Sequence, residues 1–221
     1  MTFGPLPAPA EPNSGRFRRR GGRGPGHRDV LALASLLLDY PDDELCASRN
    51  RIGEAIGALP RSLAAADLRD FWTWFATAQP SQLRLDYVKT FDHKRRSALY
   101  VTFAPYGDTR RRGAALAELR HQYQAAGYRE RDGELPDYLP TVLQFAALAP
   151  ENAADQVLDA ARPGIEMIES SLDAQRSPYA AVIKAVARCL PPPRQTPPAD
   201  PGVDLVMPVS RSTEPKVEVL V

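Results

Sequence analysis

Residues of the types that build a nucleophilic triad lie close together in the chain, at Asp92, His93 and Ser97. A serine nucleophile needs a base within hydrogen-bond reach, and in hydrolases it commonly sits on a sharp turn between a strand and a helix. The three residues fall at one predicted helix end, and no predicted strand leads into the serine. We therefore expect a polar surface here rather than a catalytic triad.

A second pattern with chemical potential is the pair Glu118 and His121, which has the i, i+3 spacing found on the helices of di-iron proteins. Such sites need a second Glu-x-x-His pair and two further glutamates on facing helices. The other histidines, His27 and His93, supply neither. A hydrogen-bonded pair on a helix surface is the interpretation we favour, and no metal site is predicted.

Two short basic runs, Lys94–Arg96 and Arg110–Arg112, have the charge to meet phosphate groups. The second run stands where a helix should begin, although the helix dipole disfavours cations there by up to about 1 kcal/mol each. Asp108 is the expected N-cap of that helix, and its carboxylate would balance the arginines and repel phosphate. An alternative function nevertheless stays open, a helical nucleic-acid-binding module that uses Arg110–Arg112 and the basic N-terminal arm.

A turn that opens another helix carries two carboxylates, Glu134 and Asp137, on either side of Leu135 and Pro136. Asp137 suits the N-cap of the helix that follows. The pair equally suits a binding surface, because fixed carboxylates beside an apolar helix face match a peptide with basic and hydrophobic residues. The local sequence is compatible with both interpretations.

Composition limits the classes of partner and compartment. The chain has 28 Lys and Arg against 27 Asp and Glu, so no global field attracts nucleic acid or an anionic membrane. Its two cysteines, Cys46 and Cys189, are far apart, which favours a reducing compartment over a disulfide scaffold. The longest largely apolar run, Val30–Leu38, is much shorter than the ~20 residues of a membrane helix. We expect a cytoplasmic protein.

Apolar residues recur with the 3.6-residue period of helices through the middle of the chain, and sustained alternation is absent. Only Leu99–Phe103 is rich in β-formers. We predict an all-α fold, a single compact bundle of about eight or nine helices. The helical domain spans 28–190. A disordered, basic N-terminal extension precedes it at 1–27, and a Pro-rich flexible tail follows at 191–221. Among the expected boundaries are a helix end at Gly127 and separate helices at Glu151–Ala161 and Pro163–Arg176.

Several separated motifs, in order, resemble the NarJ-type assembly chaperones of respiratory nitrate reductase. The resemblance runs from about Val30 to Leu190. No single motif is specific, but together they are. The motifs are Leu36–Pro41, Tyr87–Asp92, Arg95–Ser97, Leu99–Thr102, Gly107–Arg110, Arg112–Gly113 and Glu134–Leu139.

This resemblance implies a helical fold of the TorD/DmsD kind with no catalytic activity of its own. It implies a chaperone that binds the apo form of the nitrate reductase catalytic subunit, including its N-terminal segment. The chaperone would support insertion of the molybdenum cofactor and maturation before membrane docking. It would bind no cofactor stably, although its client receives a molybdenum cofactor and iron–sulfur clusters. The implied partners extend to molybdenum cofactor synthesis proteins, and the implied state is a monomer or weak dimer.

Two turns are dense in charge and glycine, Phe103–Asp108 and Arg129–Asp137. On the same resemblance we expect these two charged turns and the apolar faces beside them to form the client groove. Relatives often carry histidine where this chain has Tyr138, and a tyrosine cannot take a positive charge near neutral pH. A pH-sensitive release through that position is therefore not expected here. The residues expected to bind the client are Tyr87, Asp92, Tyr100, Asp108, Arg110, Arg112, Glu134, Asp137 and Tyr138.

Overall fold

The computed structural model describes residues 26–92, 94–129 and 133–193. These residues form ten α-helices and no β-strand, which confirms the predicted all-α class. A π-helical turn, Val88–Asp92, continues α5. The helices are α1 (His27–Leu37), α2 (Asp43–Ala47), α3 (Arg49–Ala58), α4 (Leu63–Thr77), α5 (Pro80–Tyr87), α6 (Phe103–Tyr106), α7 (Arg110–Ala125), α8 (Leu139–Leu148), α9 (Glu151–Ala174) and α10 (Tyr179–Ala187).

The predicted extension and tail fall almost wholly outside the described residues. Gly26 and His27 are described, and they open α1. At the C-terminal end, the last described residue is Pro193, two residues after Pro191, which is buried. Of the described helices, none is long and apolar enough to span a membrane.

The core is organised around α1, which is apolar on almost every side and packs against α8, α10 and α4. Leu31, Ala34 and Leu37 of this helix are completely buried. Ser35, its one internal polar residue, donates a hydrogen bond to the carbonyl oxygen of Pro140 at 2.7 Å. This partner satisfies the half-buried hydroxyl of Ser35 beside the core.

Aromatic rings fill the space between α4, α5 and α10. The Tyr179 ring lies 5.2 Å from Phe71 and 4.8 Å from Phe91 in tilted and edge-on geometries. Such pairs contribute about 0.5–1.5 kcal/mol each beyond the burial of their area. This aromatic layer fixes the end of α5, where Tyr87 lies 6.1 Å from Tyr179.

The prediction of two helices separated at Pro163 is wrong, because Glu151–Ala174 is one helix with Pro163 inside it. A proline inside a helix removes a hydrogen bond and costs about 3 kcal/mol. The buried stripe nevertheless continues through it, from Leu158 and Ala161 to Ile165 and Ile168. Burial of this continuous face offsets the local cost of the proline.

Gly164, on the buried face of α9, allows the segment that carries the site to approach closely. A Cβ atom at this position would lie 2.0 Å from the carbonyl oxygen of Val101, well inside van der Waals contact. Val101 is buried and packs directly against the helix. This close approach fixes the position of the Val101 backbone against α9.

The predicted end of α7 is confirmed. Gly127 adopts a left-handed conformation, with φ at 83°. Its N–H donates to Gln124 O at 3.0 Å, and the N–H of Tyr128 donates to Tyr123 O at 2.9 Å. Together these bonds satisfy carbonyls at the helix end, the pattern that favours glycine at this position.

Candidate functional site

Two segments far apart in sequence pair through their backbones at the centre of the candidate site. Val101 N donates to Asp137 O at 2.9 Å, and Leu139 N donates to Leu99 O at 2.7 Å. The result is an isolated antiparallel bridge that sets Tyr100 opposite Tyr138. This bridge is how the β-forming segment uses its backbone in an otherwise helical protein. It brings the two charged turns together.

Four tyrosines from separate segments meet beside this bridge, and we call them the tyrosine face: Tyr40, Tyr87, Tyr100 and Tyr138. The hydroxyl oxygens of Tyr87 and Tyr138 are 3.2 Å apart, and Tyr87 OH also lies 3.1 Å from the Leu38 carbonyl, to which it donates. Ring centroids are 5.5 Å apart for Tyr40 with Tyr87 and for Tyr100 with Tyr138. Tyr87 is buried, Tyr100 and Tyr138 are half-buried, and Tyr40 is 43% exposed.

Carboxylates surround the tyrosine face, and we call Asp39, Asp92 and Glu134 its acidic rim. Asp39 and Asp92 are exposed, and Glu134 is half-buried. Burial raises the pKa of Tyr138 above its ordinary value, and Asp39 and Glu134 raise it further. Tyr138 therefore stays neutral at physiological pH, and the rim supplies negative charge at this surface.

The π-turn at the end of α5 sets the position of Asp92. Its Thr90 carbonyl accepts a hydrogen bond of 2.5 Å from the Ser97 hydroxyl. Ser97 is completely buried, so its side chain closes a turn and is inaccessible to a substrate. His93 lies outside the described residues. Local π-helical turns are frequent at functional sites because they redirect side chains.

Asp137 is fully buried, and its carboxylate turns inward. Its Oδ2 accepts from Thr102 Oγ1 at 2.5 Å and from Thr102 N at 3.3 Å. Arg112 Nη2 lies 3.6 Å from the same oxygen. The other carboxylate oxygen, Asp137 Oδ1, has no hydrogen-bond partner among the described residues. The N-cap interpretation of Asp137 is wrong, since Tyr138 flanks α8 and makes no side-chain cap.

The expectation that Asp108 caps α7 is also wrong. Thr109 occupies the N-cap position without a side-chain bond, and Asp108 instead lies 3.1 Å from Arg95 and 3.5 Å from Arg112. Both guanidinium groups sit over the Phe103 ring, at 5.0 and 5.1 Å from its centroid. The third arginine of the run is thus neutralised by two carboxylates. This explains why a helix N-terminus accepts it.

The structure brings most of the expected client-binding residues together, but in two different settings. Five of them form or surround the tyrosine face, and three lie in the network that supports it. Arg110 joins neither group, because it is exposed at the first position of α7. The face holds Tyr87, Asp92, Tyr100, Glu134 and Tyr138, and the supporting network holds Asp108, Arg112 and Asp137.

Sequence reasoning missed several members of the site. Asp39 and Tyr40 lie in the Leu36–Pro41 motif, yet nothing local indicates that the end of α1 meets the end of α5. Thr102 was not expected to hold Asp137, and Phe103 was not expected to receive two arginines. The contact between Thr102 and Asp137 adjoins the backbone bridge, which joins segments that are far apart in the sequence.

The catalytic and metal-binding alternatives find no support in the described residues. Glu118 is exposed and accepts a hydrogen bond of 2.9 Å from Gln122 on the next turn of α7. In residues 26–92, 94–129 and 133–193, no group of three or more potential ligands could hold a metal ion.

Comparison with known proteins places the chain in a family. Residues 56–185 match the family described as nitrate reductase delta subunit. The chain is 33% identical over 161 residues to the probable nitrate reductase molybdenum cofactor assembly chaperone NarJ of Bacillus subtilis strain 168. That alignment covers 73% of this chain and 88% of the relative.

Two further relatives show similar identity over different shares of their length. The nitrate reductase molybdenum cofactor assembly chaperone NarJ of Escherichia coli K12 is 32% identical over 155 residues, which cover 69% of this chain and 65% of that protein. The nitrate reductase-like protein NarX of Mycobacterium tuberculosis H37Rv is 32% identical over 164 residues, or 72% of this chain and 24% of that protein. The predicted resemblance is confirmed.

Proposed function

Because the chain belongs to the nitrate reductase delta subunit family, among the NarJ-type assembly chaperones, we propose that its client is the apo catalytic subunit of respiratory nitrate reductase. The chaperone binds this subunit in the cytoplasm, including its N-terminal segment. It holds the client while the molybdenum cofactor is inserted and before the enzyme docks on the membrane. The chaperone itself performs no catalysis and retains no cofactor.

The observation that carries this proposal is the tyrosine face with its acidic rim. Half-exposed aromatic rings offer apolar area with hydroxyl groups for hydrogen bonding, and tyrosine is enriched at binding surfaces for this reason. Three carboxylates around the rings attract cations, and the ring faces themselves attract Lys and Arg. A basic amphipathic helix presents both kinds of group on adjacent faces. The N-terminal segment of the client is therefore expected to bind as such a helix.

The supporting network gives the face a fixed shape. Asp137 holds Thr102 while its backbone carbonyl accepts from Val101, so one residue ties the two segments twice. Arg112 then links Asp137 to Asp108. A surface that is already ordered loses less conformational entropy when it binds a peptide. We assign these residues a positioning role, with the client contacting the tyrosines and rim.

The nucleic-acid alternative is less well supported by the same contacts. Of the basic run Arg110–Arg112, only Arg110 and Arg111 remain exposed, because Arg112 is occupied by carboxylates. The exposed carboxylate of Asp108 lies beside them, and it repels phosphate. Nucleic-acid binding would require affinity that falls steeply with salt.

Calorimetric titration of the purified chain with a synthetic peptide of the client's N-terminal segment tests the proposal. A scrambled peptide of equal charge is the control ligand. Glu134→Gln removes one rim charge, and Asp70→Asn, an exposed carboxylate on α4, is the matched control variant. We expect saturable binding of the native peptide. Its affinity should be about 2–5-fold weaker for Glu134→Gln, because that is the effect of losing one exposed ion pair.

Two results would contradict this site. Equal binding of native and scrambled peptides would show attraction by charge alone. Equal weakening by Glu134→Gln and Asp70→Asn would show that no particular carboxylate contacts the peptide. If the peptide fails to bind at all, capture of the whole apo-subunit by the wild-type chain distinguishes a folded recognition surface from a wrong client.

A further inference from the structure

The N-terminal part of the chain, residues 1–25, has the composition that the tyrosine face selects. It carries five arginines within Arg16–Arg23 and one carboxylate, Glu11. Phe17 lies among the arginines, so an aromatic ring accompanies the cations. This segment lies outside the described residues, and neither the core nor the proposed function accounts for it.

We infer that the basic stretch Arg16–Arg20 docks on the tyrosine face of its own chain and competes there with the client. The inference rests on the proposed function only for the identity of the competitor. The docking follows from the opposite charges of the stretch and the face, and from the length of chain that connects them. Asp39, Asp92 and Glu134 present three negative charges beside exposed aromatic area. The stretch Arg16–Arg20 presents four arginines and the ring of Phe17.

The position of the chain start makes this contact geometrically accessible. The described chain begins at Gly26, at the N-terminal end of α1, and the tyrosine face begins just past the other end, at Asp39. Since a helix rises about 1.5 Å per residue, these two points are separated by about 20 Å. Arg16 is ten residues before Gly26 and can reach about 33 Å when extended. The stretch Arg16–Arg20 can therefore reach the face, whereas Arg23, three residues before Gly26, extends only about 10 Å.

Attachment to the same chain makes weak contacts effective. A short flexible connection gives a tethered group an effective concentration in the millimolar range, and the value is greatest when the mean length of the connection matches the span. Ten residues of coil have a root-mean-square length of about 17 Å, close to the required distance. An intrinsic affinity in the high micromolar to millimolar range then lowers the apparent affinity for the client about 2–10-fold.

Charge distinguishes this occupant from the other end of the chain. Residues 194–221 carry three cations and four carboxylates, so they lack the net charge that the face would attract. They serve as the matched control.

The test uses the full chain and three arginine substitutions, Arg18→Gln, Arg19→Gln and Arg20→Gln, in one variant. The control variant carries Arg194→Gln, Arg211→Gln and Lys216→Gln. Each is titrated with the client N-terminal peptide at about 50 mM and 500 mM salt, where the Debye length falls from about 14 to about 4 Å. We expect the first variant to bind 2–10-fold tighter than wild type at low salt and equally at high salt. The control variant should match wild type at both, and unchanged or weaker binding by the first variant overturns the inference.

A second arm separates this inference from the proposed function, because it uses no client. A synthetic peptide of residues 14–25 is titrated into the Arg18–Arg20 variant and into the same variant with Glu134→Gln. Saturable binding that Glu134→Gln weakens supports the inference, even if the client peptide does not bind. Absence of binding overturns it and leaves the client proposal intact. An oligonucleotide that binds wild type but not the arginine variant would assign the segment to nucleic acid, and would also overturn it.

Discussion

The substitution Asp137→Asn examines the link between the buried carboxylate and the exposed face. The side chain is 0% exposed and accepts two hydrogen bonds from Thr102, beside Arg112 at 3.6 Å. Asparagine keeps the size and one acceptor but removes the charge. A hydrogen bond to a charged group contributes about 1.5–3 kcal/mol, compared with about 0.5–1.5 for a neutral one. The variant also loses the attraction between the carboxylate and Arg112, although a neutral amide costs less to bury than a carboxylate. We therefore expect Asp137→Asn to lower the free energy of unfolding by about 1–3 kcal/mol.

Urea unfolding followed by far-ultraviolet circular dichroism measures this change directly. Asp137→Ala, which also leaves Thr102 and Arg112 without their partner, should cost about 3–5 kcal/mol. Asp108→Asn is the matched control, since that side chain is 69% exposed and should cost at most about 1 kcal/mol. An Asp137→Asn protein within about 0.5 kcal/mol of wild type would refute the reasoning, because the carboxylate would then be replaceable by any acceptor.

Three further predictions concern the same framework. Gly164→Ala should lower the free energy of unfolding by about 2 kcal/mol or more, because the new methyl group clashes with Val101. Gly113→Ala, which has open space around it on α7, should raise the free energy of unfolding by about 0.5–1 kcal/mol. Thermal unfolding compares the two variants. Burial raises the pKa of Tyr87 in the folded protein above its value near 10 in the unfolded chain. The contribution of Tyr87 to stability is therefore complete below pH 10 and is lost as the pH rises above 10. Between pH 8 and pH 11 the melting temperature should fall less in Tyr87→Phe than in wild type. Arg112→Ala should lower unfolding free energy by about 2–4 kcal/mol, because it strips a buried carboxylate of its cation, while the same change at exposed Arg110 should stay within about 0.5 kcal/mol.

The all-α class was predictable because apolar periodicity is a local signal, as on α10. The end of α7 was predictable for the same reason, since Gly127 acts on its own helix. Pro163 shows the limit of local rules. A proline separates helices in an isolated chain, but a buried stripe that continues on both sides keeps α9 intact.

The motifs that hold the candidate site are visible in the sequence, but the surface that they form is not. Asp137 has the sequence position of an N-cap, and its true partner, Thr102, is 35 residues away. Rules that use only neighbouring residues predict a helix cap, because they contain no information about a partner so far away in the sequence. The same holds for Tyr40, which reaches Tyr87 only because α1 and α5 end at the same place.

Site-specific photocrosslinking at Tyr40 tests the central claim most directly, namely that the tyrosine face contacts the client. Tyr40 is replaced by p-benzoylphenylalanine in the full chain, and Leu63, 68% exposed at the start of α4, receives the same replacement as the control. After irradiation with the apo catalytic subunit, mass spectrometry locates the crosslinked residues. We predict crosslinks from position 40 to the N-terminal segment of the client and none from position 63. Crosslinks from position 63 to that segment, with none from position 40, would contradict the account.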